Sequence, residues 1–208
     1  MDILHTHAGR PKDLEKRQRI LESAKRSFLE FGYHGSNMNR IAQIAGVTKL
    51  TVYNHFKDKA TLFTCAIEDT CESIIHTHLQ ALDEHTDFMP AFFDACELSF
   101  NIVNLPEAIK LEYLLLELAS QHNPLVQQFY DASHAKLCAV WERFFEQAVQ
   151  FKFIKADKPI NQTSLIMSLL LGNRHHEVLL GVKKSPNPDE QHQIIQNAIQ
   201  IFMLKYGI

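Results

Sequence analysis

Apolar residues recur along most of the chain at intervals of three and four, the repeat of helices that bury one stripe, while alternating runs typical of half-buried strands are few. Seven glycines and seven prolines in 208 residues leave long stretches uninterrupted. These patterns predict an all-α protein. Residues 1–11 are polar and aperiodic, ending in Gly9, Arg10 and Pro11, and are expected to form a flexible N-terminal arm. A first helix is predicted over 12–31, with Ile20, Ala24, Phe28 and Phe31 on one stripe, until Gly32 and Gly35 break it. Ser36 and Asn37 can cap a short second helix that turns Ile41, Ala42, Ile44 and Ala45 inward, and Gly46 ends it. Thr48 caps a third helix, where Val47 before the cap can pack on Val52 as a hydrophobic staple. Asp58 caps a fourth, reaching to about Leu82. Further helices are predicted at about 90–104, 106–121, 124–151, 161–182 and 188–206, with Pro106, Pro124, Pro159, Pro186 and Pro188 at the breaks.

In the third helix Val52 and Phe56 lie four residues apart, so they share a face and fix the direction of the core. At about 100° per residue, Leu50, Thr51 and Asn54 then point away from that core, Tyr53 and His55 lie on its flanks, and Lys49 sits in the first turn. Lys, Tyr, His and Asn side chains bond phosphate oxygens, while a Thr hydroxyl and a Leu methyl suit base edges such as the thymine methyl. A short capped helix, a turn at Gly46 and Val47, and a second short helix with a polar outer face make a helix-turn-helix, whose second member enters the major groove. On geometry alone, a small helical hairpin with a solvated face fits the same pattern.

Charge adds a direction to the chain. The formal net charge of −3 divides unevenly: residues 1–60 hold 11 Lys and Arg against 6 Asp and Glu, whereas residues 61–208 hold 10 against 18. A basic quarter joined to an acidic remainder suits a protein whose first part meets a polyanion. No stretch reaches the roughly 18 uninterrupted apolar residues of a membrane span, and the first residues hold no signal-peptide core, so a cytoplasmic protein without a membrane partner is expected. Cys65, Cys71, Cys96 and Cys138 form no CxxC pair and read as reduced apolar residues, with a redox sensor as the alternative.

The run from Arg19 to Phe63 carries a resemblance. Ile20, Ala24 and Phe28 with the break at Phe31, Gly32 and Tyr33; Ile41, Ala42, Ala45, Gly46 and Val47; then Thr51, Val52, Tyr53, His55, Phe56 and Lys59 resemble, without gaps, the DNA-binding domain of the TetR/AcrR family of bacterial transcriptional regulators. The resemblance implies a helix-turn-helix DNA-binding domain over 12–60 and a helical effector-binding and dimerisation domain over 61–208. It also implies roles. Ser36 and Asn37 match positions that bond a phosphate at the start of the second helix. Arg40 flanks the groove, and Thr48 starts the reading helix. Lys49, Leu50 and Thr51 match the base-reading turn, with Asn54 on the same outer face. Tyr53 and His55 match phosphate contacts, and Lys59 an anchoring lysine. Leu50 departs from the small residue usual at its position. The arm with Arg10, Pro11 and Lys12 is a candidate for a neighbouring minor groove, or a tail without a role.

The acidic remainder gives weaker signals. Aromatic residues gather on the central helices; most read as plain core, and Phe92, Phe100, Tyr113, Glu117, Phe129, Trp141 and Phe145 are the candidates to line an effector pocket, with Glu112, His122 or His134 as further polar groups. Broad apolar bands on the last two helices, including Leu169, Leu170, Leu179, Ile195, Ile199 and Phe202, suit a four-helix bundle across a twofold axis, hence a homodimer on a palindromic operator in double-stranded DNA; burial of both helices inside a monomer is the alternative. Neighbouring histidines such as His175 and His176, or the pair His76 and His78, supply only part of a metal site, so no metal or cofactor is expected. The chain lacks a GxSxG elbow, an HExxH pair, a P-loop and a GxGxxG fingerprint, which argues against an enzyme. The function expected is a sequence-specific transcriptional regulator, a repressor that leaves its operator when a small-molecule effector binds.

Overall fold

Hydrophobic spacing and caps set the first four helices. The computed structural model describes the backbone of residues 9–78 and 81–208, with side chains at 13–73 and 81–208. Helix α1 spans Gly9–Gly35, where Ile20, Leu21, Ala24 and Phe28 form its buried stripe. It thus reaches back into the segment expected as an arm; residues 1–8 of that arm lie outside the described residues. Gly32 breaks the helical geometry near its end at φ 69° and ψ 176°, the positive-φ region where a side chain is strained. Helix α2 (Met38–Ala45) starts at Asn37, whose side chain accepts from the Arg40 amide, and stops at Gly46 in the left-handed conformation. Helix α3 (Lys49–His55) starts at Thr48, whose hydroxyl oxygen accepts from the Thr51 amide at 3.1 Å. Helix α4 (Lys59–His78) follows the Asp58 cap, which accepts from the Thr61 amide at 2.7 Å. The side chains of His76 and His78 lie outside the described residues.

The remaining helices are α5 (Phe88–Val103), α6 (Pro106–Ser120), α7 (Leu125–Tyr130), α8 (Lys136–Gln150), α9 (Pro159–Leu179) and α10 (Pro188–Tyr206). A π-helical turn, Asp131–Ala135, joins α7 to α8, so the single helix expected over 124–151 is divided. The fourth helix ends before Leu82, which instead sits buried in the core of the later helices. Gly172 interrupts α9 at φ 44°. Among the described residues no strand forms, and one isolated antiparallel bridge joins Ile154 to Gly207.

Two apolar cores result. One gathers α1 to α4 around Val52, Phe56 and Phe63, and it does not close at residue 60: Leu114, Leu115 and Leu118 of α6 and Phe129 of α7 complete it. The other packs α5, α8, α9 and α10 around Phe92, Trp141, Phe145 and Phe202. Within it the Trp141 indole donates to the Ser99 hydroxyl at 2.9 Å, satisfying the one polar atom of a buried ring.

This second core takes up many of the residues expected in a pocket or at a dimer interface. Phe92, Phe100, Trp141 and Phe145 fill the core instead of lining a pocket, because their rings pack on one another, for instance Trp141 stacked on Phe145 at 5.3 Å and Phe145 on Phe202 at 5.1 Å. Phe129 fills the first core between Phe63 and Tyr33. Tyr113 and Glu117 face solvent. Of the residues expected at a dimer interface, Leu170, Ile195, Ile199 and Phe202 are buried within the protomer, and Leu169 and Leu179 are half-buried. The broad bands divide: their inner halves meet α5 and α8. Their outer halves remain exposed as Leu180 and Val182 after α9, and Ile201 and Leu204 on α10.

Candidate nucleic-acid interface

The position of α3 follows from two side chains. Val52 and Phe56 are buried and hold the helix on the first core, which leaves the other side to solvent. Lys49, Leu50, Tyr53 and Asn54 are exposed there, Leu50 to 69%. The Lys49 ammonium lies 5.7 Å from the centre of the Tyr53 ring, so these two stand side by side. Thr51 is half-buried, and its hydroxyl shares a 2.9 Å hydrogen bond with that of Thr48. Of α2, Asn37 and Arg40 are exposed, and the Arg40 guanidinium stacks on the Phe31 ring at 3.9 Å, which fixes a cation beside the helix-turn-helix.

Three residues expected on this surface are committed elsewhere. The Ser36 hydroxyl is buried; it lies within hydrogen-bonding reach of the carbonyl oxygens of Gly32 (2.8 Å) and Ser27 (2.9 Å) and accepts from the Ser27 hydroxyl (3.0 Å). The Lys59 ammonium donates to the carbonyls of Tyr33 and Ser36 at 2.9 and 3.2 Å and lies over the Tyr33 ring at 4.5 Å; burial lowers its pKa. Both residues are braces of the α1–α2 corner. His55, half-buried, pairs with Asp13 of α1 at 3.3 Å. Ile44, expected inward, is 45% exposed, and with Asn39 and Gln43 it extends the outer face of α2. The spacing of Asn39 and Gln43, four residues apart, was the signal for these two.

Residues 20–64 match the family model described as bacterial regulatory proteins, tetR family, and residues 92–208 match that described as AefR-like transcriptional repressor, C-terminal domain. The second match alone spans more than half of the chain. The chain belongs to the TetR family of transcriptional regulators. An HTH-type transcriptional regulator of Staphylococcus aureus is 31% identical over 70% of this TetR-family chain and 71% of its own length. The HTH-type transcriptional activator FasR of Mycolicibacterium smegmatis is 32% identical over 45% of the chain, and the match spans 42% of that relative. A TetR-family regulator from Mesorhizobium loti shares the fold with a TM-score of 0.75 at 24% identity, over 95% of this chain and 99% of its own.

The TetR-family chain also holds a cavity of about 230 Å³ away from the aromatic core. It opens between the C-terminal half of α1, the middle of α4, the α5–α6 junction and the π-helical turn. Phe28, Tyr33, Phe63, Ile67, Leu111 and Leu137 supply apolar walls. None of Phe92, Phe100, Tyr113, Glu117, Phe129, Trp141 or Phe145 borders it. Glu112 and His134 do, and they are hydrogen-bonded to each other. The π turn presents His134 flat against Tyr130, ring centres 5.1 Å apart, while the other imidazole nitrogen lies 3.0 Å from the Ser133 hydroxyl. Ser133 and His134, consecutive in the π turn, both border the opening. His122 is exposed and stands apart from this group.

Proposed function

We propose that the chain is a sequence-specific DNA-binding regulator, acting as a homodimer on a palindromic operator in double-stranded DNA and releasing it when a small-molecule effector binds, as a repressor. The observation that carries this reading is α3: Val52 and the capping Phe56 are spent on the core, and Lys49, Leu50, Tyr53 and Asn54 stand together in solvent on the outer face, as a helix that enters a major groove requires. Lys49, Tyr53 and Arg40 hold phosphates, Leu50 and Asn54 read base edges, and Thr51 supports the turn that presents them. Asn37 and the amides at the start of α2 take a phosphate at a helix N-terminus. The exposed residues Leu180, Val182, Ile201 and Leu204 form the dimer face, since apolar groups of this size on neighbouring segments are what a twofold helix bundle covers. The match of residues 92–208 to a repressor's C-terminal domain supports repression.

The test is selection from a random duplex library by the intact protein, followed by footprinting. A palindromic consensus supports the reading. Equal affinity for selected and random duplex at low salt overturns it.

A further inference from the structure

Resting on the reading of this chain as an effector-responsive regulator, the geometry points to the cavity between α1, α4, α6 and the π turn as the effector site, its ligand a neutral, mostly apolar molecule of bicyclic size that carries one hydroxyl and acts directly on the α1–α2 corner.

Size and lining set the class of ligand. A cavity of about 230 Å³ walled by Phe28, Tyr33, Phe63, Ile67, Leu111 and Leu137 suits a compact apolar body. Polarity is concentrated where Glu112, His134 and Ser133 meet. One carboxylate oxygen of Glu112 takes the imidazole, and the other is the acceptor for a ligand hydroxyl. The lysines of the lining are already committed. Lys25 pairs with Asp69 at 2.6 Å and Glu22 at 3.1 Å, and the Lys110 ammonium donates to the Leu29 carbonyl at 2.7 Å. An anionic ligand would add its charge to a site that already holds Glu107 and Glu112, the latter at the polar end itself.

Location sets the route of coupling. Gly32 and Tyr33 border the cavity, and their carbonyl oxygens are the ones that the Ser36 hydroxyl and the Lys59 ammonium grip. Through those two bonds the last turn of α1 holds the start of α2 and the start of α4. A ligand pressing on Gly32 and Tyr33 therefore bears on the support of the helix-turn-helix itself, without a displacement having to travel the length of α4.

The experiment is calorimetric titration of the full chain with naphthalene, 2-naphthol and 2-naphthoate, for the wild type, Ala108→Trp, which fills the cavity from α6, and Glu112→Gln. We expect 2-naphthol to bind the wild type about tenfold or more tightly than either analogue, a preference of the order that one hydrogen bond to a charged acceptor supplies. Ala108→Trp, folded by circular dichroism, should bind none of the three, and Glu112→Gln should lose the preference for the hydroxyl while keeping naphthalene. Absence of binding by all three probes, a preference for 2-naphthoate, or undiminished binding by Ala108→Trp overturns the site. For coupling, saturating 2-naphthol should weaken binding of the selected duplex at least about fivefold in the wild type and leave Ala108→Trp unchanged. Probe binding with unchanged duplex affinity overturns the coupling. If no duplex is preferred at all, the DNA-binding reading fails separately, and the calorimetry still decides the cavity.

Discussion

The ammonium of Lys59 has two carbonyl acceptors and a ring beneath it, so its charge works inside the protein. Lys59→Met keeps the stem and removes those bonds. It should lower stability by about 1–3 kcal/mol in urea unfolding, because two carbonyls of the α1–α2 corner lose their donor. The salt dependence of DNA binding, normalised to folded protein, should keep its slope. Lys49→Ala and Arg40→Ala should do the reverse: little change in the unfolding midpoint and a slope of log K against log salt reduced by about 1 each. The family resemblance points both lysines at DNA, Lys49 in the base-reading turn and Lys59 as an anchor, and only the carbonyl acceptors around Lys59 tell its inward role apart. Another residue gives a pH prediction. Burial lowers the His175 pKa, with Glu112 opposing and His134 and His176 adding to the depression, and its Nδ1 has no partner among the described residues. As pH falls, the unfolded chain therefore takes this proton first, so the contribution is complete above about pH 6.5 and is lost as pH falls towards the lower folded pKa. Thermal melts at about pH 7.5 and 5.5, on either side of the ordinary histidine value, should show a larger loss for the wild type than for His175→Gln. Equal losses would remove His175 from the account.

At the scale of elements, what the chain announces is mostly local chemistry. Asn37, Thr48 and Asp58 are each found bonded to an amide three residues on, as their side chains and positions led one to expect. Gly46 was equally legible as a stop: it sits at φ 64°, with its amide and that of Val47 turned back on Gln43 and Ala42. Gly46→Ala should cost about 1 kcal/mol, the strain of an L-residue in that region, since a Cβ there meets no atom within 4 Å and no clash is added. A much larger loss in urea unfolding would show that the turn needs more than its backbone angle. Other features carry no such local mark. The π turn lies between α7, packed on α4 and α6, and α8, packed on α9, and no residue type demands it. The lining of the cavity was not legible for a related reason. Aromatic residues on α5 and α8 advertise space they themselves fill, whereas the opening arises where residues as small as Gly32, Ala66 and Ala108 meet across three helices.

For the whole molecule, the two cores place the basic surface and the exposed apolar surface at different parts of the chain, α2 and α3 for one, the ends of α9 and α10 for the other. A sum of apolar residues along the last two helices could not foresee which half of each band the protomer would keep. The structure divides them by exposure: Ile195 and Phe202 lie fully inside, whereas Leu180 and Leu204 are 64% and 80% exposed. Because these two touch little within the protomer, Leu180→Glu and Leu204→Glu should leave the fold within about 0.5 kcal/mol of the wild type, as surface substitutions usually do. Placed across a twofold axis, however, each would set a carboxylate opposite an apolar face, twice per dimer. The double variant should sediment as a monomer at concentrations where the wild type is a dimer. Its affinity for the palindromic duplex should fall by about 10²–10⁴-fold, the advantage that linking two reading heads confers, while binding of a single half-site by each protomer persists. A variant that stays dimeric would show that these residues lie off the axis. A monomer that keeps full affinity for the palindrome would show that one helix-turn-helix suffices, and that the operator's symmetry has another cause.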